Sequence, residues 1–152
     1  MSSTTTRPDP GDPPGGMGES PRVEVAVGAV VRRGDDVLLI RRARGTAVGQ
    51  WSIPGGRVEF GEGLKAAVAR EVQEETSLEV KVGRFLGWAE RMGDDPGPYH
   101  YVILDFAAEP LDLAAVPRAG DDADDVAWVP TKAIETYPLV AGLAEFLRRV
   151  GL

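Results

Sequence analysis

Three glutamates in one helix-forming run are the residues of this sequence best suited to chemistry. Glu71, Glu74 and Glu75 lie in the run GLKAAVAREVQEET, which begins at Gly63. The run has no proline, has no glycine after its first residue and is rich in alanine, so it predicts a helix. At about 100° per residue, the three carboxylates border the face formed by the apolar residues of the run. Those apolar residues are Leu64, Ala67, Val68 and Val72.

Carboxylates beside a packed helix face require a positive charge. At separations of roughly 6 Å and an effective dielectric constant of about 20, each pair repels by about 3 kcal/mol. The chain has no cysteine and one histidine, so its available ligands are hard oxygens, which suit Mg²⁺ or Mn²⁺ better than zinc or copper. The cluster therefore predicts a divalent cation site. A helix of ion pairs, such as Arg70 with Glu74, is the alternative, and it would not displace the metal.

The residues around this cluster also match a known pattern. Gly56, five residues, Glu62, seven residues and then REVQEETSL at 70–78 resemble the Nudix box. One position differs, because Ser77 stands where the family has glycine, just past the helix end, where a left-handed backbone is usual. Serine is expected to strain that turn by about 1 kcal/mol without removing any charge.

The resemblance implies a fold and an activity. The fold is α/β, a Nudix-type α/β/α sandwich with a mixed sheet and the box helix, over residues 22–152. The activity is Mg²⁺-dependent hydrolysis of the pyrophosphate bond of a nucleoside diphosphate linked to another moiety, with Mn²⁺ as the alternative metal. The metal ligands carried over are Glu71, Glu74 and Glu75, with Glu62 as an additional or water-bridged ligand. Arg70 would orient a ligand carboxylate.

The general base is left open between several acids. Glu74 is the preferred general base, with Glu71 as the second catalytic residue. The competing carboxylates lie in loops or at strand ends that could bring them to the site. They are Glu90, Asp94, Asp95 and the acidic turn at 121–125. A solvated connector is the alternative interpretation of that turn.

The residues that could contact the substrate have a binding interpretation and a structural one. Arg41 and Arg44 leave a predicted strand and could bind phosphate through bidentate guanidinium groups, or could form surface ion pairs. Gly56 and Trp51 are also expected at the substrate. Several aromatic side chains could stack on a base or fill the core, namely Trp51, Phe60, Trp88, Tyr99 and Trp128. His100 is assigned to packing or a hydrogen bond rather than to catalysis.

The substrate itself is not decided by the sequence. Similarity of the stretch at 37–56 and of HYVILDF at 100–106 to ADP-ribose pyrophosphatase-like members of the family favours ADP-ribose. An oxidised nucleoside triphosphate is the alternative. A non-catalytic nucleotide-sensing domain would keep the fold and lose the acids, which this chain retains. An isomerase on the same fold would use a cysteine, which this chain lacks.

The composition of the chain limits the kinds of molecule that it is expected to bind. The 152 residues, 43% of them hydrophobic, suit one domain, and the net charge of −7 argues against nucleic acid or an anionic membrane as a partner. The expected partner is a nucleotide-type small molecule, and a homodimer is left open. Residues 1–21 are rich in Pro, Gly and Ser, lack an apolar signal core and predict a disordered tail, with the Nudix domain at 22–152. The expected location is the cytoplasm.

The remaining elements follow from hydrophobic patterning. VEVAVGAVV and VLLIRR predict a buried hairpin, and LEVKVGRFLGWAERM and YHYVILDFAAEP predict two further strands, the first long or bulged. A short strand is expected at 126–129. Residues 139–152 predict a closing amphipathic helix.

Overall fold

The structure is a computed structural model that describes residues 20–120 and 122–152. The tail predicted at 1–21 therefore lies outside the described residues except for its last two positions.

A seven-stranded mixed sheet forms the centre of the molecule. Its strands run in the order β3-β2-β1-β6-β5, with β4 paired to β1 and β7 paired to β2. β1 and β6 are parallel, whereas the other pairs are antiparallel. The strands are β1 (Val23–Arg33), β2 (Asp36–Arg42), β3 (Trp51–Ser52), β4 (Gly55–Arg57), β5 (Val80–Gly93), β6 (Tyr99–Pro110) and β7 (Ala123–Pro130).

One helix packs on each face of the sheet. α1 (Leu64–Thr76) contributes Ala67, Val68 and Val72 to one hydrophobic core, and α2 (Leu143–Arg149) contributes to the other. A 3₁₀ helix (Thr131–Thr136) precedes α2. Alternate residues of a strand face opposite sides, so Val27 and Ala29 lie in the α1 core while Val30 lies in the α2 core. The α/β/α layering and the mixed sheet expected from the sequence are confirmed.

Most predicted elements are present, with two differences. β5 is long and has register shifts at Val82/Phe85 and Phe85/Gly87, as its irregular alternation predicted. The C-terminal helix spans 143–149 rather than 139–152, because Leu139 and Val140 pair with Trp51 of β3 and the chain then turns through Gly142 at φ 83. Leu64, expected on the inward face of α1, is exposed because it lies in the first turn, before the helix reaches the core.

The end of α1 adopts the left-handed backbone that the sequence predicted. Ser77 has φ 64 and ψ 8, and its N–H donates to the carbonyl of Gln73 at 2.9 Å. Thr76 is buried, and its hydroxyl donates to the carbonyl of Val72. These contacts fix the last turn of α1, which carries Glu74 and Glu75. Among the described residues, no helix is long and apolar enough to span a membrane.

Candidate active site

The acidic cluster forms where α1 lies against β4. Gly56 of β4 has no side chain, and a Cβ there would lie 2.4 Å from the carboxyl carbon of Glu71. Any larger residue at this position would displace Glu71. The glycine of the box therefore provides the space for this carboxyl group, and its role at the substrate stays a prediction.

Arg70 connects the acids to one another. Its Nε and Nη2 donate to the two carboxylate oxygens of Glu62 at 2.7 and 2.9 Å, and Nη1 donates to Glu71 at 2.8 Å. Nη2 also donates to the carbonyl of Arg57 at 3.0 Å. The hydrogen bonds to Glu62, and after them the bond and the charge of Glu71, raise the pKa of Arg70. The bonds between Arg70 and Glu62 also lower the pKa of Glu62. Arg70 thus orients two carboxylates, as the sequence indicated.

Glu75 is the most deeply buried acid of the cluster. It is 6% exposed, and its Oε2 has no hydrogen-bond partner among the residues that the structure describes. Burial, together with the neighbouring charge of Glu71, raises the pKa of Glu75 to about 9, although a backbone N–H of Gly55 opposes the shift. Burial also raises the pKa of Glu71. Two buried carboxyl groups this close together favour a bound proton or a bound cation.

Glu74 differs from its two neighbours. Its side chain is 48% exposed and lies 3.3 Å from Nη1 of Arg70. The expectation that all three carboxylates border the packed face is therefore wrong for Glu74, because its position is rotated by about 100° around the helix from that of Glu75. Its exposure to solvent suits it to contact a water molecule or a metal at the rim of the site.

The carboxylates do not yet surround a single point. Within residues 20–120 and 122–152, no three acidic or histidine side chains are placed to bind one ion. The guanidinium of Arg70 lies among Glu62, Glu71 and Glu74 and supplies the positive charge that these three acids contact. The donor set still fits Mg²⁺ or Mn²⁺, because it consists of hard carboxylate oxygens and contains an unpartnered buried oxygen of Glu75.

The two predicted phosphate-binding arginines form ion pairs instead. Arg41 donates from Nε to Asp124 at 2.5 Å, and Arg44 lies 3.9 Å from Asp122. Both pairs are exposed, which corresponds to the surface interpretation that the sequence allowed. The acidic turn thus acts as the partner of these arginines, while Asp121 lies outside the described residues.

Arg42 is the basic residue that faces the acidic cluster. Its Nε donates to the carbonyl of Thr46 at 2.6 Å. Burial and the nearby charge of Arg91 lower its pKa, whereas the charge of Glu75 opposes this shift. In the described part of the chain, neither Arg42 nor Arg91 forms an ion pair within 4.0 Å. The sequence analysis did not choose Arg42 as a substrate-binding residue, although strand alternation could have shown that adjacent arginines of β2 face opposite sides.

The aromatic candidates are distributed among several environments. Trp51 is 8% exposed and packs edge-to-face on Tyr137 in the α2 core, at a centroid distance of 5.3 Å. Phe60 is 98% exposed in the loop before α1, and Trp88 is exposed on β5. Trp128 lies under the guanidinium of Arg33. The structure therefore places Trp51 in the core, which was the other interpretation of this residue.

The remaining polar candidates lie on β5 and β6. Tyr99 stacks on Tyr101 at 5.8 Å. His100 contacts Glu90 at 2.8 Å, so this candidate base already has a partner. The interpretation of His100 as a hydrogen-bonding residue agrees with this contact.

The fold and the acidic cluster define a member of the NUDIX domain family, whose model matches residues 22–150. The chain belongs to this family. A solved structure supports the assignment: the MutT NUDIX hydrolase from Burkholderia pseudomallei superimposes with a TM-score of 0.74 and 26% identity, covering 85% of this chain and 98% of that one.

Three curated relatives show the range of activities among similar proteins. The NAD-capped RNA hydrolase NudC of Pseudomonas aeruginosa is 33% identical over 87% of this chain and 45% of its own length. The ADP-ribose pyrophosphatase of Methanocaldococcus jannaschii is 36% identical over 66% of this chain and 58% of its own length. The putative 8-oxo-dGTP diphosphatase 2 of Mycobacterium tuberculosis is 38% identical over 70% and 79%. This chain spans about half the length of the first two relatives.

Proposed function

We propose that this protein is a Mg²⁺-dependent pyrophosphohydrolase that cleaves the pyrophosphate bond of a nucleoside diphosphate linked to another moiety. The observation that carries the proposal is the buried pair Glu71 and Glu75, in which Oε2 of Glu75 has no partner. A buried, unpaired carboxylate is strongly unfavourable unless a cation or a proton is bound. A pyrophosphate, which is itself anionic, would approach this cluster only with a cation present.

The ligands of that cation would be Glu71, Glu74 and Glu75, with Glu62 directly or through water. Mn²⁺ is expected to substitute, because it prefers the same oxygen donors. When bound, the metal would neutralise the phosphoryl oxygens and lower the pKa of a coordinated water. Arg70 would keep Glu62 and Glu71 in fixed orientations through its four hydrogen bonds to them and to the backbone.

Glu74 is the proposed general base. Its exposed side chain can reach a solvent water, whereas Glu71 and Glu75 are confined by burial. Glu74 would accept the proton of the attacking water, with Glu71 as the second catalytic carboxylate. Arg42 would bind the phosphoryl oxygens, since its guanidinium group lies near Glu75 and forms no ion pair within 4.0 Å among the described residues.

ADP-ribose is the proposed substrate, and the similarity to the ADP-ribose pyrophosphatase of Methanocaldococcus jannaschii supports it. The alternative is an oxidised nucleoside triphosphate, which the relative named as a putative 8-oxo-dGTP diphosphatase supports. A nucleotide-sensing domain without turnover is the third possibility from the sequence. The proposed location is the cytoplasm, and a homodimer remains a prediction.

A screen that separates each substrate from its nucleoside monophosphate product by chromatography tests the reaction and names the substrate. Purified protein would be assayed with ADP-ribose, NADH, 8-oxo-dGTP and dGTP, each with Mg²⁺, with Mn²⁺ and with EDTA. We expect metal-dependent hydrolysis that is greatest for ADP-ribose. The matched variants are Glu75→Gln and Glu79→Gln, because Glu79 is an exposed acid just past α1. Binding of nucleotides without hydrolysis of any of them would favour the sensing domain and contradict the proposal.

A further inference from the structure

The loop between β6 and β7 closes over the last turn of α1. It donates two backbone N–H groups to that turn: Arg118 donates to the carbonyl of Thr76 at 2.8 Å, and Gly120 donates to the carbonyl of Glu75 at 2.9 Å. The last carbonyls of a helix have no partner within the helix, so the loop supplies these donors from outside. The turn that it holds carries Glu74 and Glu75, two of the proposed metal ligands.

Gly120 lies directly against the backbone of that turn. A Cβ at this position would lie 1.8 Å from the carbonyl oxygen of Glu74 and 3.2 Å from Cα of Glu75. These atoms belong to the helix backbone, which cannot turn aside as a flexible side chain can. Because non-bonded heavy atoms rest at about 3.5 Å or more, an alanine here would force the loop and the helix end apart by more than about 1 Å.

The same loop reaches the proposed phosphate-binding arginine. Two residues beyond Gly120, the carbonyl of Asp122 accepts a hydrogen bond from the N–H of Ala43 at 3.0 Å. Ala43 follows Arg42, the last residue of β2. Two residues of chain span at most about 7 Å, so this short segment connects the backbone of Glu75 to the backbone beside Arg42.

We propose that Gly120 is a positioning residue, which sets the last turn of α1 at the distance from Arg42 that a cation and a pyrophosphate between them require. The proposal rests on the proposed function, in which Glu74 and Glu75 bind the cation and Arg42 binds the phosphoryl oxygens. Mg²⁺ demands near-octahedral geometry, and a displacement of about 1 Å can lower a rate about a hundredfold. The close contact at Gly120 keeps the helix end and the loop from separating by such a distance.

Metal binding and turnover in matched glycine variants test this inference. The variants are Gly120→Ala and the control Gly83→Ala, where the new Cβ would lie 3.4 Å from the carbonyl oxygen of Ala107, an ordinary contact distance. Pro117→Gly is a milder variant, since it frees φ in the loop just before the two donors and adds no overlap. Binding of Mn²⁺ would be measured by electron paramagnetic resonance, melting temperatures with EDTA and with Mg²⁺, and kcat and KM with ADP-ribose.

We expect Gly120→Ala to raise the Kd for Mn²⁺ by at least about tenfold and to lower kcat/KM by about a hundredfold. Because a bound metal stabilises only the folded state, the rise in melting temperature on adding Mg²⁺ should shrink in this variant. Pro117→Gly should raise the Kd by about threefold, and Gly83→Ala should match the wild type in its response to metal. A residue that only packs would lower the melting temperature equally with EDTA and with Mg²⁺.

An unchanged Kd for Mn²⁺ in Gly120→Ala would overturn the inference and leave the proposed function standing. If Gly120→Ala does not fold, an unchanged Kd in Pro117→Gly would overturn the inference instead. Weaker metal binding in the loop variants, with no hydrolysis of any nucleotide by the wild type, would support the positioning role and contradict only the proposed function. No binding of Mn²⁺ or Mg²⁺ by the wild type would overturn both.

Discussion

The carboxyl groups of Glu71 and Glu75, one helical turn apart on α1, interact with each other in a site where neither is freely solvated. Glu71 receives a hydrogen bond from Arg70, whereas Oε2 of Glu75 receives none. The pair is therefore asymmetric. One carboxyl group is fixed by a guanidinium, and the other is available for a cation, so Glu75 is where loss of a charge should affect metal binding most directly.

Glu75→Gln should reduce turnover by at least about a hundredfold while leaving the fold intact, and Glu74→Gln should have a similar effect on turnover. Removing the buried charge of Glu75 should preserve or raise the melting temperature of the metal-free protein, because repulsion from Glu71 is lost. Steady-state kinetics at saturating Mg²⁺ and thermal melting in EDTA measure the two effects. Unchanged turnover in both variants would contradict the assignment of these residues to the metal site.

The metal-free protein should become less stable as the pH rises from 4.5, the ordinary pKa of a glutamate, through about 9, the pKa of Glu75 in the folded state. In this window the folded state binds a proton that the unfolded state has released, so the free energy of unfolding falls by up to about 1.4 kcal/mol per pH unit. Below the window the contribution of this group is fully present.

Mg²⁺ should flatten that dependence, because the cation replaces the proton and binds best to the ionised pair. Denaturant titrations between pH 5 and 9, with Mg²⁺ and with EDTA, measure both curves. The Glu75→Gln variant is the control and should show a weaker dependence without metal. A stability in EDTA that rises steadily across this range would disagree with a protonated Glu75.

Ser77→Gly should raise the stability by up to about 1 kcal/mol, because glycine adopts a left-handed backbone without steric strain. Ser77 has φ 64 in the folded protein, so the strain is present. The greater freedom of glycine in the unfolded chain opposes the gain. Melting curves at equal Mg²⁺ decide the sign, and a lower midpoint would mean that the unfolded-state effect is the larger one. Ala47→Gly, at φ 54, is the matched comparison in a loop.

Arg42→Ala should raise KM for the substrate by at least about tenfold, since a guanidinium that binds phosphate contributes a charge-assisted hydrogen bond of about 1.5–3 kcal/mol. Arg41→Ala is the matched control from the adjacent position. Its guanidinium is already paired with Asp124 on the surface, so its removal should change KM less than about twofold. Kinetics with ADP-ribose at fixed Mg²⁺ compare the two. A larger effect at Arg41 would restore the phosphate-binding role first expected for that residue.

Local patterns in the sequence were sufficient to predict much of the molecule. The run from Gly63 predicted α1, and the spacing from Gly56 to Leu78 indicated the family. The position of Ser77, where the family has glycine, predicted a left-handed backbone. These features depend on residues that are close in the chain, where helix periodicity and backbone sterics act directly. The same reasoning placed Glu74 on the packed face, because a helical wheel does not show how much of the helix circumference the sheet covers.

The tertiary structure alone decided which side chains meet. Arg41 and Arg42 are adjacent in the sequence, yet one pairs with β7 residue Asp124 and the other lies near Glu75 of α1. Gly120 lies against the backbone of Glu74 only because the loop between β6 and β7 folds back on α1. The sequence by itself determined the acids of the cluster and the helix that carries them. The partners of those acids depend on contacts between residues far apart in the chain, which form when strands pair and faces pack, and no local periodicity encodes them.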